Sequence, residues 1–536
     1  MPGSRDHLYF VLPGAPVAAE ASAATLGSKA YGLFRLARLG LPVPPAFVLG
    51  TTLCRQYFER GRRVPDDLPD VVAQGLARLE AATGRTFGSP RRPLLVAVRS
   101  GAAASMPGMM ETILNVGLTE KTLRGLLRST GNPRLVRDCY RRLVRDFAAV
   151  VRGAEVHAFD ALIERECQKE GLAAARDLDS RTLSRIAQDS LELTLVLTGE
   201  PFPQDPVAQL MGAVEGVFRS WESDKAAAYR RLNGIDEQSG TAVTVQAMVY
   251  GNAGSDSGAG VAFTRDPATG ENRFYVDFLF NAQGDDVVSG RHTPRDAESL
   301  SRRLPAVAAE LDRVKTILED EFRDMQDLEF TVETGRLSLL QTRDGKRTPW
   351  AALTIAVAMV REHRISPDEA LRRLDGVSLD RLERLSIARG AEAVPLAAAV
   401  PASVGVATGD VVFESQRAVE WGRQGRQVIL VREDIATDDI EGLAAAAGVL
   451  TAMGGRTCHA AVVARQLGKV CLVGCASLRV EPEERRCALG EGWLHEGDPV
   501  TLDGNSGRIY AGRLPVVRER PDAALAEVAK WRRERA

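Results

Sequence analysis

The sequence predicts a multidomain protein of mixed α/β and α+β class. The length of 536 residues corresponds to roughly three or four domains of about 150 residues each. The composition, with 45% hydrophobic and 26% charged residues, is typical of folded globular chains. Short apolar runs that indicate strands alternate with segments of helical spacing along much of the chain, which is the pattern of α/β units.

The charge balance and the absence of sorting patterns restrict the expected partners. Lys and Arg total 69 against 71 Asp and Glu, so the net charge of -2 offers no basic surface for nucleic acid. The sequence has no apolar run of membrane-spanning length and begins without a signal-peptide pattern, so we expect a cytoplasmic protein that contacts no membrane. Seven cysteines without a CxxC pair indicate reduced thiols.

The N-terminal part of the chain alternates predicted strands and helices. Residues 30–39 have helical spacing and stop at Gly40, with Pro42 beyond, while residues 94–98 predict a short buried strand. Residues 119–235 are predicted to form a helical block with polar outer faces.

Strands return after this block, at residues 241–245 and 274–278. Phe218 and Trp221 are expected in the core of the helical block. We place the end of the first domain near residue 344, so that it spans residues 1–344.

A hairpin is predicted between Leu328 and Arg343, and its first strand carries two carboxylates. Asp327 and Glu329 are two residues apart, so their side chains share one face, while Leu328 and Phe330 face the core. Such a pair suits Mg²⁺, which shares its oxygen ligands with substrate phosphates. A carboxylate pair on a strand is also common on solvated faces.

Gln341 and Arg343 share a face of the return strand. Simple pairing would turn Gln341 toward the apolar side. We therefore predict a one-residue offset, such as a bulge near Gly335, that places Gln341 opposite Glu329 and Arg343 opposite Asp327.

Lys29 lies in the run Gly27-Ser28-Lys29, where a helix is predicted to open. The helix dipole disfavours a cation at that end, and a bound phosphate would be stabilised by both the lysine and the helix N-terminus. An exposed surface lysine is the alternative. The spacing excludes a Walker A loop.

Small residues fill the loop from Arg99 to Gly108. With so little side-chain bulk, the backbone around Gly101 can approach an anion, and Arg99 can bind a phosphate through two hydrogen bonds. A flexible surface loop would have the same composition.

The remainder of the chain is predicted to contain a helical linker at residues 345–395, a compact α/β unit at 396–514 and a charged tail at 515–536. The alanine-rich stretch from Pro395 to Pro401 is interpreted as a hinge. The tail resembles the start of a helix with nothing to pack on.

The most informative motif surrounds a glycine pair, Gly454 and Gly455. A strand at 448–452 runs into the pair, a helix is predicted to open beside His459, and a second strand follows at 470–474. The helix dipole disfavours cationic imidazole, which leaves neutral His459 available as a nucleophile, and the same helix end would stabilise a phosphoryl group on it. A lone histidine is more often structural.

Taken together, these stretches resemble the N-terminal part of the pyruvate, phosphate dikinase family. The resemblance spans residues 22–510 in order and is carried by Val98–Gly101, Ser105–Asn115, Met211–Val214, Gln246–Asn252, Asn281–Gly284, Asp324–Phe330, Leu340–Arg347 and Gly454–Arg465. It implies an ATP-grasp nucleotide-binding domain with a helical insertion, a helical linker and a swivelling β/β/α phosphohistidine domain.

The resemblance also implies residue roles and a reaction. Lys29, Arg99 and Gly101 would hold ATP phosphates, Met248 and Val249 would lie at the adenine, Asp327, Glu329 and Gln341 would serve Mg²⁺, Arg343 would contact the terminal phosphates, and His459, Arg343 and Arg99 would be catalytic. ATP and inorganic phosphate would become AMP and pyrophosphate, leaving His459 phosphorylated for transfer to pyruvate or another small acceptor. A homodimer is considered as the assembly.

Several positions depart from the family pattern. The family usually has Arg at Ala103, Glu at Asp277, Met at Arg456 and Ser at Cys458, whereas Thr457 matches a regulatory threonine. A (β/α)₈ barrel for the acceptor needs roughly 250 residues, and few follow residue 515, so we expect the acceptor on a separate chain.

Three functions remain open on this basis. A phosphate-using dikinase is favoured by the segments 106–110 and 343–346. A water-using relative, either phosphoenolpyruvate synthase or an antibiotic phosphotransferase, is the second. A catalytically reduced nucleotide-binding scaffold is the third.

Overall fold

The computed structural model describes residues 7–12, 21–104, 106, 110–172, 175–288, 297–388, 390, 393–435 and 439–535. The chain divides into two compact units. The first comprises Met1–Ser257 and Thr331–Arg343, and the second comprises Gly258–Phe330 and Asp344–Ala536. The mixed α/β multidomain class predicted from the sequence is confirmed.

The first unit is built on a five-stranded sheet. Its strands run in the order β1-β2-β7-β5-β6, every adjacent pair is antiparallel, and a short parallel pair, β3 and β4, lies apart from it. The bounds are β1 (Leu8–Val11), β2 (Ala46–Leu49), β3 (Thr86–Phe87), β4 (Pro93–Leu94), β5 (Val96–Gly101), β6 (Thr112–Val116) and β7 (Ala242–Ala247).

Nine helices of the first unit are described, and six of them form the block predicted at 119–235. They are α1 (Ala23–Arg38), α2 (Thr51–Glu59), α3 (Leu68–Thr83), α4 (Glu120–Thr130), α5 (Pro133–Arg152), α6 (Val156–Glu170), α7 (Ser180–Thr198), α8 (Pro206–Ser220) and α9 (Asp224–Asn233). Most helices of the block begin at a side-chain cap such as Thr119 or Asp179 and end at a left-handed glycine such as Gly131. Phe218 and Trp221 are buried in the core, as predicted.

The remaining strands and helices follow in chain order. The strands are β8 (Gly258–Phe263), β9 (Tyr275–Phe280), β10 (Gln326–Glu333), β11 (Arg336–Asp344), β12 (Arg384–Ile387), β13 (Ala397–Ala398), β14 (Val400–Ser403), β15 (Val406–Val412), β16 (Val428–Arg432), β17 (Gly448–Thr451), β18 (Val470–Val473), β19 (Leu478–Glu481), β20 (Arg486–Leu489), β21 (Gly492–His495), β22 (Pro499–Asp503), β23 (Arg508–Ala511) and β24 (Val516–Glu519). The helices are α10 (Gly284–Val288), α11 (Ala297–Arg303), α12 (Pro305–Phe322), α13 (Pro349–Arg361), α14 (Pro367–Arg373), α15 (Ser415–Arg423), α16 (Ile440–Ala445), α17 (His459–Gln466) and α18 (Asp522–Arg535).

The hairpin predicted from the sequence is formed by β10 and β11. Its turn is short, with positive φ at Thr334 (47°) and Gly335 (76°), which is the signature of a two-residue hairpin turn. On β10, Leu328 and Phe330 are each 1% exposed, and the Phe330 ring stacks on Phe278 at 5.7 Å between centroids. The prediction that these two residues face the core is confirmed.

An eight-stranded sheet forms the centre of the α/β region in the second unit. Its order is β13-β23-β22-β15-β16-β17-β18-β14, and the four strands from β15 to β18 are parallel. Helices α15, α16 and α17 bury their apolar residues against one face, while the small sheet of β19, β20 and β21 contributes to the core on the other. The loop after β17 therefore lies at the carboxyl end of a parallel strand, where ligand sites of open α/β sheets are found.

The expectation that the C-terminal tail has nothing to pack on is wrong. Helix α18 inserts Val528 (2% exposed) and Trp531 (8% exposed) into a cluster with Leu353 and Met359 of α13. Just before it, β24 pairs antiparallel with β12. The tail is held because the linker helices expose an apolar face that these two side chains cover.

None of the helices in the described part of the chain combines the length and the apolar character that crossing a bilayer requires.

Candidate functional site

In the first unit, the segment of Lys29 packs directly on the backbone of the loop after β5. Helix α1 begins at Ala23, earlier than predicted, and is interrupted at Gly27, whose φ of 75° is not helical. A Cβ at Gly27 would lie 2.1 Å from the carbonyl oxygen of Gly101, and the Ser28 amide donates to the Ala102 carbonyl oxygen at 2.8 Å. The structure thus brings the Lys29 segment and Gly101 together, as their shared predicted role requires.

Arg99 lies beside the return strand of the hairpin in the same unit. It is in β5, opposite Thr244 of β7, and its Nη1 donates to the carbonyl oxygen of Leu340 at 3.0 Å and to Oε1 of Gln246 at 3.4 Å. Leu340 immediately precedes Gln341. The predicted phosphate-binding arginine is therefore adjacent to the strand that carries Gln341 and Arg343.

Gln341, the predicted metal ligand in the first unit, is buried. Its side chain is 3% exposed, and among the residues that the structure describes its Oε1 has no hydrogen-bond partner. A buried amide oxygen left open in this way is suited to a metal or ligand contact. Arg343, two residues further along β11, is half-buried. The bulge predicted near Gly335 is wrong, because the two-residue turn at Thr334 and Gly335 joins the ends of the two strands directly. An offset further along the strands, which would align Gln341 with Glu329, stays a prediction.

The predicted adenine segment follows directly after β7. The Met248 amide donates to the Leu95 carbonyl oxygen at 2.9 Å, and the Met248 side chain is 9% exposed. Val249 is half-buried, and the next amide, that of Tyr250, donates to the Glu333 carboxylate at 3.1 Å. Burial raises the pKa of Glu333, and this amide opposes the rise. The tip of the hairpin thus fixes the chain just after Met248 and Val249.

Part of the predicted phosphate loop falls outside the described residues. Ser105, Pro107, Gly108 and Met109 are in this group, so the part of the 106–110 segment that favours phosphate use stays a sequence argument. Ala103, where the family usually has Arg, is half-buried.

Asp327 and Glu329 lie in the second unit, on one face of β10. Asp327 is 5% exposed, as buried as its neighbour Leu328, whereas Glu329 is half-buried. This sheet continues from β10 through β8 to β9, which carries Asp277. Asp327 is therefore buried on this strand, while Glu329 keeps partial exposure, and the metal role of the pair stays a prediction.

The loop that precedes His459, residues 454–458 and here named the histidine loop, has the form predicted from the sequence. Strand β17 ends at Thr451, Gly454 has φ of 102°, and α17 begins at His459. The Cys458 amide donates to the Gly455 carbonyl oxygen at 3.1 Å, which closes the loop before the helix. The imidazole of His459 lies outside the described atoms. Burial raises the pKa of the neighbouring Cys458 thiol.

Asp277 holds the histidine loop within the second unit. Its Oδ2 accepts from the Thr457 amide at 3.1 Å and from the Thr457 hydroxyl at 2.9 Å, and its Oδ1 accepts from the Tyr275 hydroxyl at 2.5 Å. Burial raises the pKa of Asp277, while these donors oppose the rise. The shorter Asp in place of the family's Glu is thus occupied with the loop backbone and the threonine.

Arg456 adds an ion pair to this contact, and sequence reasoning missed its partner. The Arg456 Nη1 lies 2.8 Å from Oδ2 of Asp266, its Nε donates to the Pro401 carbonyl oxygen, and its guanidinium lies 4.4 Å from the Tyr275 ring centroid. Both charged side chains are about nine-tenths buried. Asp266 follows β8 in the sequence. The departure from the family pattern at Arg456 was the one feature that could have indicated an acidic partner.

The predicted site residues therefore fall into two groups. The first unit holds Lys29, Arg99, Gly101, Met248, Val249, Gln341 and Arg343, and the second unit holds Asp327, Glu329 and His459. Contacts within the first unit join the Lys29, Gly101 and Arg99 segments with β11. Contacts within the second unit join the histidine loop with β9 and with the loop that follows β8.

Comparison with known proteins identifies two family matches. A family model described as pyruvate phosphate dikinase, AMP/ATP-binding domain, matches residues 62–306, and one described as PEP-utilising enzyme, mobile domain, matches residues 425–507. The first match contains Arg99 and Met248, and the second contains the whole histidine loop.

Curated relatives align along nearly the whole chain. The sequence is 43% identical over 518 residues to a pyruvate, phosphate dikinase of Rhizobium meliloti (strain 1021) and 42% identical over 509 residues to one of Clostridium symbiosum. It is also 42% identical over 493 residues to the chloroplastic pyruvate, phosphate dikinase 1 of Zea mays. These alignments cover 94%, 94% and 92% of this chain and 58%, 58% and 52% of the relatives.

The chain thus spans little more than half the length of the curated relatives it matches. Within that span, the two family models match in the order that the sequence motifs predict. On the identity and the coverage of these alignments, the chain belongs to the pyruvate, phosphate dikinase family.

Proposed function

We propose that this chain is an ATP- and phosphate-dependent phosphotransferase whose phosphocarrier is His459. Two phosphoryl groups leave ATP, which becomes AMP. One forms a bond to an imidazole nitrogen of His459, and the other forms a bond to inorganic phosphate, giving pyrophosphate. The phosphoryl group on His459 then passes to pyruvate or another small acceptor, as the names of the relatives suggest.

The histidine loop is the observation that carries this proposal. Its glycine pair and its closing hydrogen bond place His459 at the first residue of α17, with the amides of the first helical turn pointing toward the same end. An imidazole there is disfavoured as a cation, and a phosphoryl group on it is favoured by the helix dipole. Asp277 and Arg456 hold this loop at β9 and at the loop after β8.

The nucleotide phosphates are proposed to bind in the first unit, at Lys29, Arg99 and Gly101. The close approach of Gly27 to Gly101 leaves backbone without side-chain bulk at this point, and glycine-rich backbone of this kind accepts phosphate. Arg343 contributes a further cation from β11. Met248 and Val249 are proposed to contact the adenine, at the end of β7.

Mg²⁺ is proposed to bind Asp327, Glu329 and Gln341. The donors fit the ion, since Mg²⁺ prefers oxygen ligands and takes one or two carboxylates together with substrate phosphates. The open Oε1 of buried Gln341 is a third oxygen of the required kind. Within the described residues no group of three His, Cys, Asp or Glu side chains forms a complete metal cage, so phosphate oxygens would complete the shell. When bound, Mg²⁺ neutralises charge on the transferring phosphoryl groups.

The finer architecture belongs to the same proposal. We assign an ATP-grasp domain to residues 1–344, a helical linker to 345–395, a swivelling phosphohistidine domain to 396–514 and a tail to 515–536. A cytoplasmic location, an acceptor held on a separate chain and a homodimeric assembly stay predictions from the sequence.

Label transfer from ATP tests the carrier. The full chain with Mg²⁺, inorganic phosphate and ATP labelled at both the β and the γ phosphorus should acquire an acid-labile, base-stable label from one of the two positions, and His459→Ala should acquire none. ATP affinity should be unchanged in His459→Ala, because the nucleotide contacts lie on other residues. A label that persists in this variant would contradict the proposal.

The same assay decides between the phosphate-using and water-using alternatives. AMP formation that requires inorganic phosphate and yields pyrophosphate supports the dikinase. AMP formation without added phosphate would indicate the water-using relative, and ATP binding without AMP would indicate a scaffold.

Replacement of Glu329 tests the Mg²⁺ site proposed at Asp327, Glu329 and Gln341. Glu329→Gln removes one negative ligand while keeping the shape of the side chain, so the Mg²⁺-dependent labelling rate should fall on the order of 100-fold, because the metal supplies several kcal/mol of charge stabilisation. The Glu298 side chain is 79% exposed, so Glu298→Gln is the matched control, and this variant should acquire label at the rate of the parent. Equal rates in the two variants would remove Glu329 from the site.

A further inference from the structure

One buried side chain of the second unit has hydrogen-bonding groups that none of the contacts above uses. Arg465 lies six residues after His459 on α17, and it is 2% exposed. Its Nη1 donates to the Ala402 carbonyl oxygen at 3.1 Å. Its Nε and Nη2 are buried, and neither has a hydrogen-bond partner in the described part of the chain. The guanidinium is therefore anchored on one edge and open on the other.

An aromatic ring lies close to this guanidinium. The Phe263 ring centroid lies 5.8 Å from its central carbon. Burial lowers the pKa of Arg465, and the Cys471 and Cys458 thiols and the Asp327 carboxyl oppose this as its acidic electrostatic neighbours. Cys458 directly precedes His459, and Asp327 is one of the proposed Mg²⁺ ligands. The Ala402 carbonyl oxygen that Arg465 contacts directly follows Pro401, whose carbonyl accepts from Arg456, so the guanidinium lies close to the histidine loop.

An open, buried guanidinium is strongly unfavourable unless an anion completes it. Arginine keeps its charge in proteins even when it is buried, and a buried charge without a counter-ion is disfavoured. Buried polar groups are nearly always satisfied, so an orphaned pair of donors requires an explanation such as an absent ligand. No carboxylate of the described residues accepts from either open nitrogen.

The open edge has a definite chemical preference. Nε and Nη2 lie along one edge of the planar guanidinium group, and their N–H bonds point outward from it in nearly parallel directions. This edge binds two oxygens of one phosphate or carboxylate group. The bond from Nη1 to Ala402 fixes the plane, so the open edge is presented in one orientation.

We propose that the Nε and Nη2 edge of Arg465 binds two oxygens of a phosphate group beside the start of α17. The choice of phosphate over a carboxylate rests on the proposed function, in which phosphate is the oxyanion that reaches His459. The group has two sources, free inorganic phosphate and the phosphoryl group carried on His459. Arg465 is in this proposal a substrate-binding residue, and no bond to it is made or broken.

Direct binding tests the site without turnover. Labelled inorganic phosphate is dialysed against the full-length His459→Ala chain saturated with Mg²⁺ and a non-hydrolysable ATP analogue, which fills the nucleotide subsites. If free phosphate is the source, adding Arg465→Lys should lower the phosphate affinity at least tenfold, because lysine keeps the charge but loses the paired donors. Arg432→Lys is the matched control, since Arg432 also donates to a backbone carbonyl of this region but has Asp439 as its partner.

The lifetime of the label tests the other source. In the chain with intact His459, Arg465→Lys and the apolar Arg465→Met should shorten the half-life of the base-stable label at least tenfold if Arg465 holds the phosphoryl group on the carrier. Arg432→Lys should leave this half-life unchanged. Circular dichroism and urea unfolding establish that each variant is folded, and two replacements of different chemistry keep the test valid if one of them is not.

The outcomes separate this inference from the proposed function. A loss of phosphate affinity assigns the edge to free phosphate, and a shortened label lifetime assigns it to the carried group. Unchanged affinity and lifetime in a folded Arg465 variant would overturn the inference and leave the proposed function standing. A parent chain that never acquires label would refute the proposed function, and the dialysis result would still decide the role of Arg465.

Discussion

Arg456 shows how a single side chain can set the position of the histidine loop. It reaches Asp266, Pro401 and the Tyr275 ring at once, and its ion pair with Asp266 is about nine-tenths buried. Asp266 also accepts from the amides of Ala268 and Thr269, so its carboxylate stays oriented when the arginine is removed. The pair therefore fixes the histidine loop to the loop after β8.

Removing this arginine should slow phosphorylation of His459 without weakening ATP binding. Truncating one partner of a buried, hydrogen-bonded ion pair costs about 2 kcal/mol or more, so we expect Arg456→Met to label at least tenfold more slowly than the parent. Quenched-flow labelling at saturating ATP measures this rate.

A double-mutant cycle separates the ion pair from general damage. Asp266→Asn alone should slow labelling to a similar extent, and combining it with Arg456→Met should add little, because both remove one interaction. Fully additive effects would mean that the two side chains act independently.

At the residue scale, the position of His459 at a helix start could be predicted from the sequence, whereas the contacts of the neighbouring side chains could not. His459 could be predicted at a helix start because a glycine pair and an apolar strand precede it within a few residues. The bonds from Thr457 to Asp277 and from Arg456 to Asp266 join segments 180 and 190 residues apart, and no local spacing encodes such pairs. The same reason kept Arg465 out of the predicted site.

At the scale of elements, the interruption of α1 is the feature that brings together the segments proposed to bind phosphate. Gly27 has a φ of 75° and lies against the Gly101 backbone, where an L side chain has neither the conformation nor the space. The predicted start of a helix near Lys29 was correct for the second part of α1. The first part, from Ala23, was not predicted, because a glycine in the middle of a helical pattern normally marks an end.

Replacing Gly27 should therefore damage both stability and ATP binding. Gly27→Ala needs the backbone of Gly101 to move, and we expect ATP affinity to fall at least tenfold and the free energy of unfolding to fall by more than 2 kcal/mol. Titration calorimetry and urea unfolding measure the two effects.

Gly40→Ala is the matched control for this prediction. Gly40 has a similar φ of 71°, but a Cβ there would meet nothing within 4 Å. Its variant should lose only about 1 kcal/mol, the cost of left-handed backbone, and should bind ATP normally. Equal losses in both variants would show that conformation alone, and not the contact with Gly101, explains the effect.

Other elements were predicted to different degrees. The hairpin was predicted correctly because the alternation of Leu328 and Phe330 with the carboxylates is a strong period-two pattern. Helix α18 was predicted as a helix, but its packing was not. Its apolar residues Leu525, Val528 and Trp531 are few among charged neighbours, so only the exposed face of the linker helices explains their burial.

At the scale of the molecule, a buried carboxylate links the helical block of the first unit to the segment that follows β7. Asp138 of α5 is 2% exposed, lies 2.6 Å from Arg141 and 3.2 Å from Arg142, and accepts from the Asn252 amide group at 3.0 Å. Burial by itself would raise the pKa of Asp138, but these arginines and Asn252 together hold it well below its usual value.

This carboxylate makes the stability of the first unit sensitive to acid. Because the folded pKa lies below the unfolded value of about 3.9, the charged form stabilises the fold above that pH, and this stabilisation is lost as the pH falls toward the folded pKa. Asp138→Asn should lower the free energy of unfolding at pH 7 and flatten its decline below pH 4. Urea unfolding between pH 3 and pH 7 measures both effects.

Asp189→Asn provides the comparison for this prediction. Asp189 pairs with Arg165 at a partly exposed site, and its replacement should change the free energy of unfolding by less than about 1 kcal/mol. A pH profile of Asp138→Asn that parallels the parent would show that Asp138 is not the group responsible.

The order of the parts along the chain was predictable, whereas their contacts were not. Strand and helix periodicity sufficed for the elements, and the quoted motifs carried the resemblance to the family, because each depends on residues close together in the chain. The contact of the histidine loop with β9 depends on side chains of separate segments, and only their positions in space reveal it.

The chain leaves β12 at Ile387 and enters β24 at Val516, and these two residues lie opposite each other in the antiparallel pair. The segment between the two strands therefore begins and ends at the same place. Paired Cα atoms of this kind are about 5 Å apart, a gap that a two-residue turn closes. Replacing residues 388–515 by a tight turn would therefore keep the backbone pairing of β12 and β24 and would remove the contacts of the histidine loop with Asp266 and Asp277. The carrier could then be supplied in trans as a separate polypeptide, and donor and carrier could be titrated against each other.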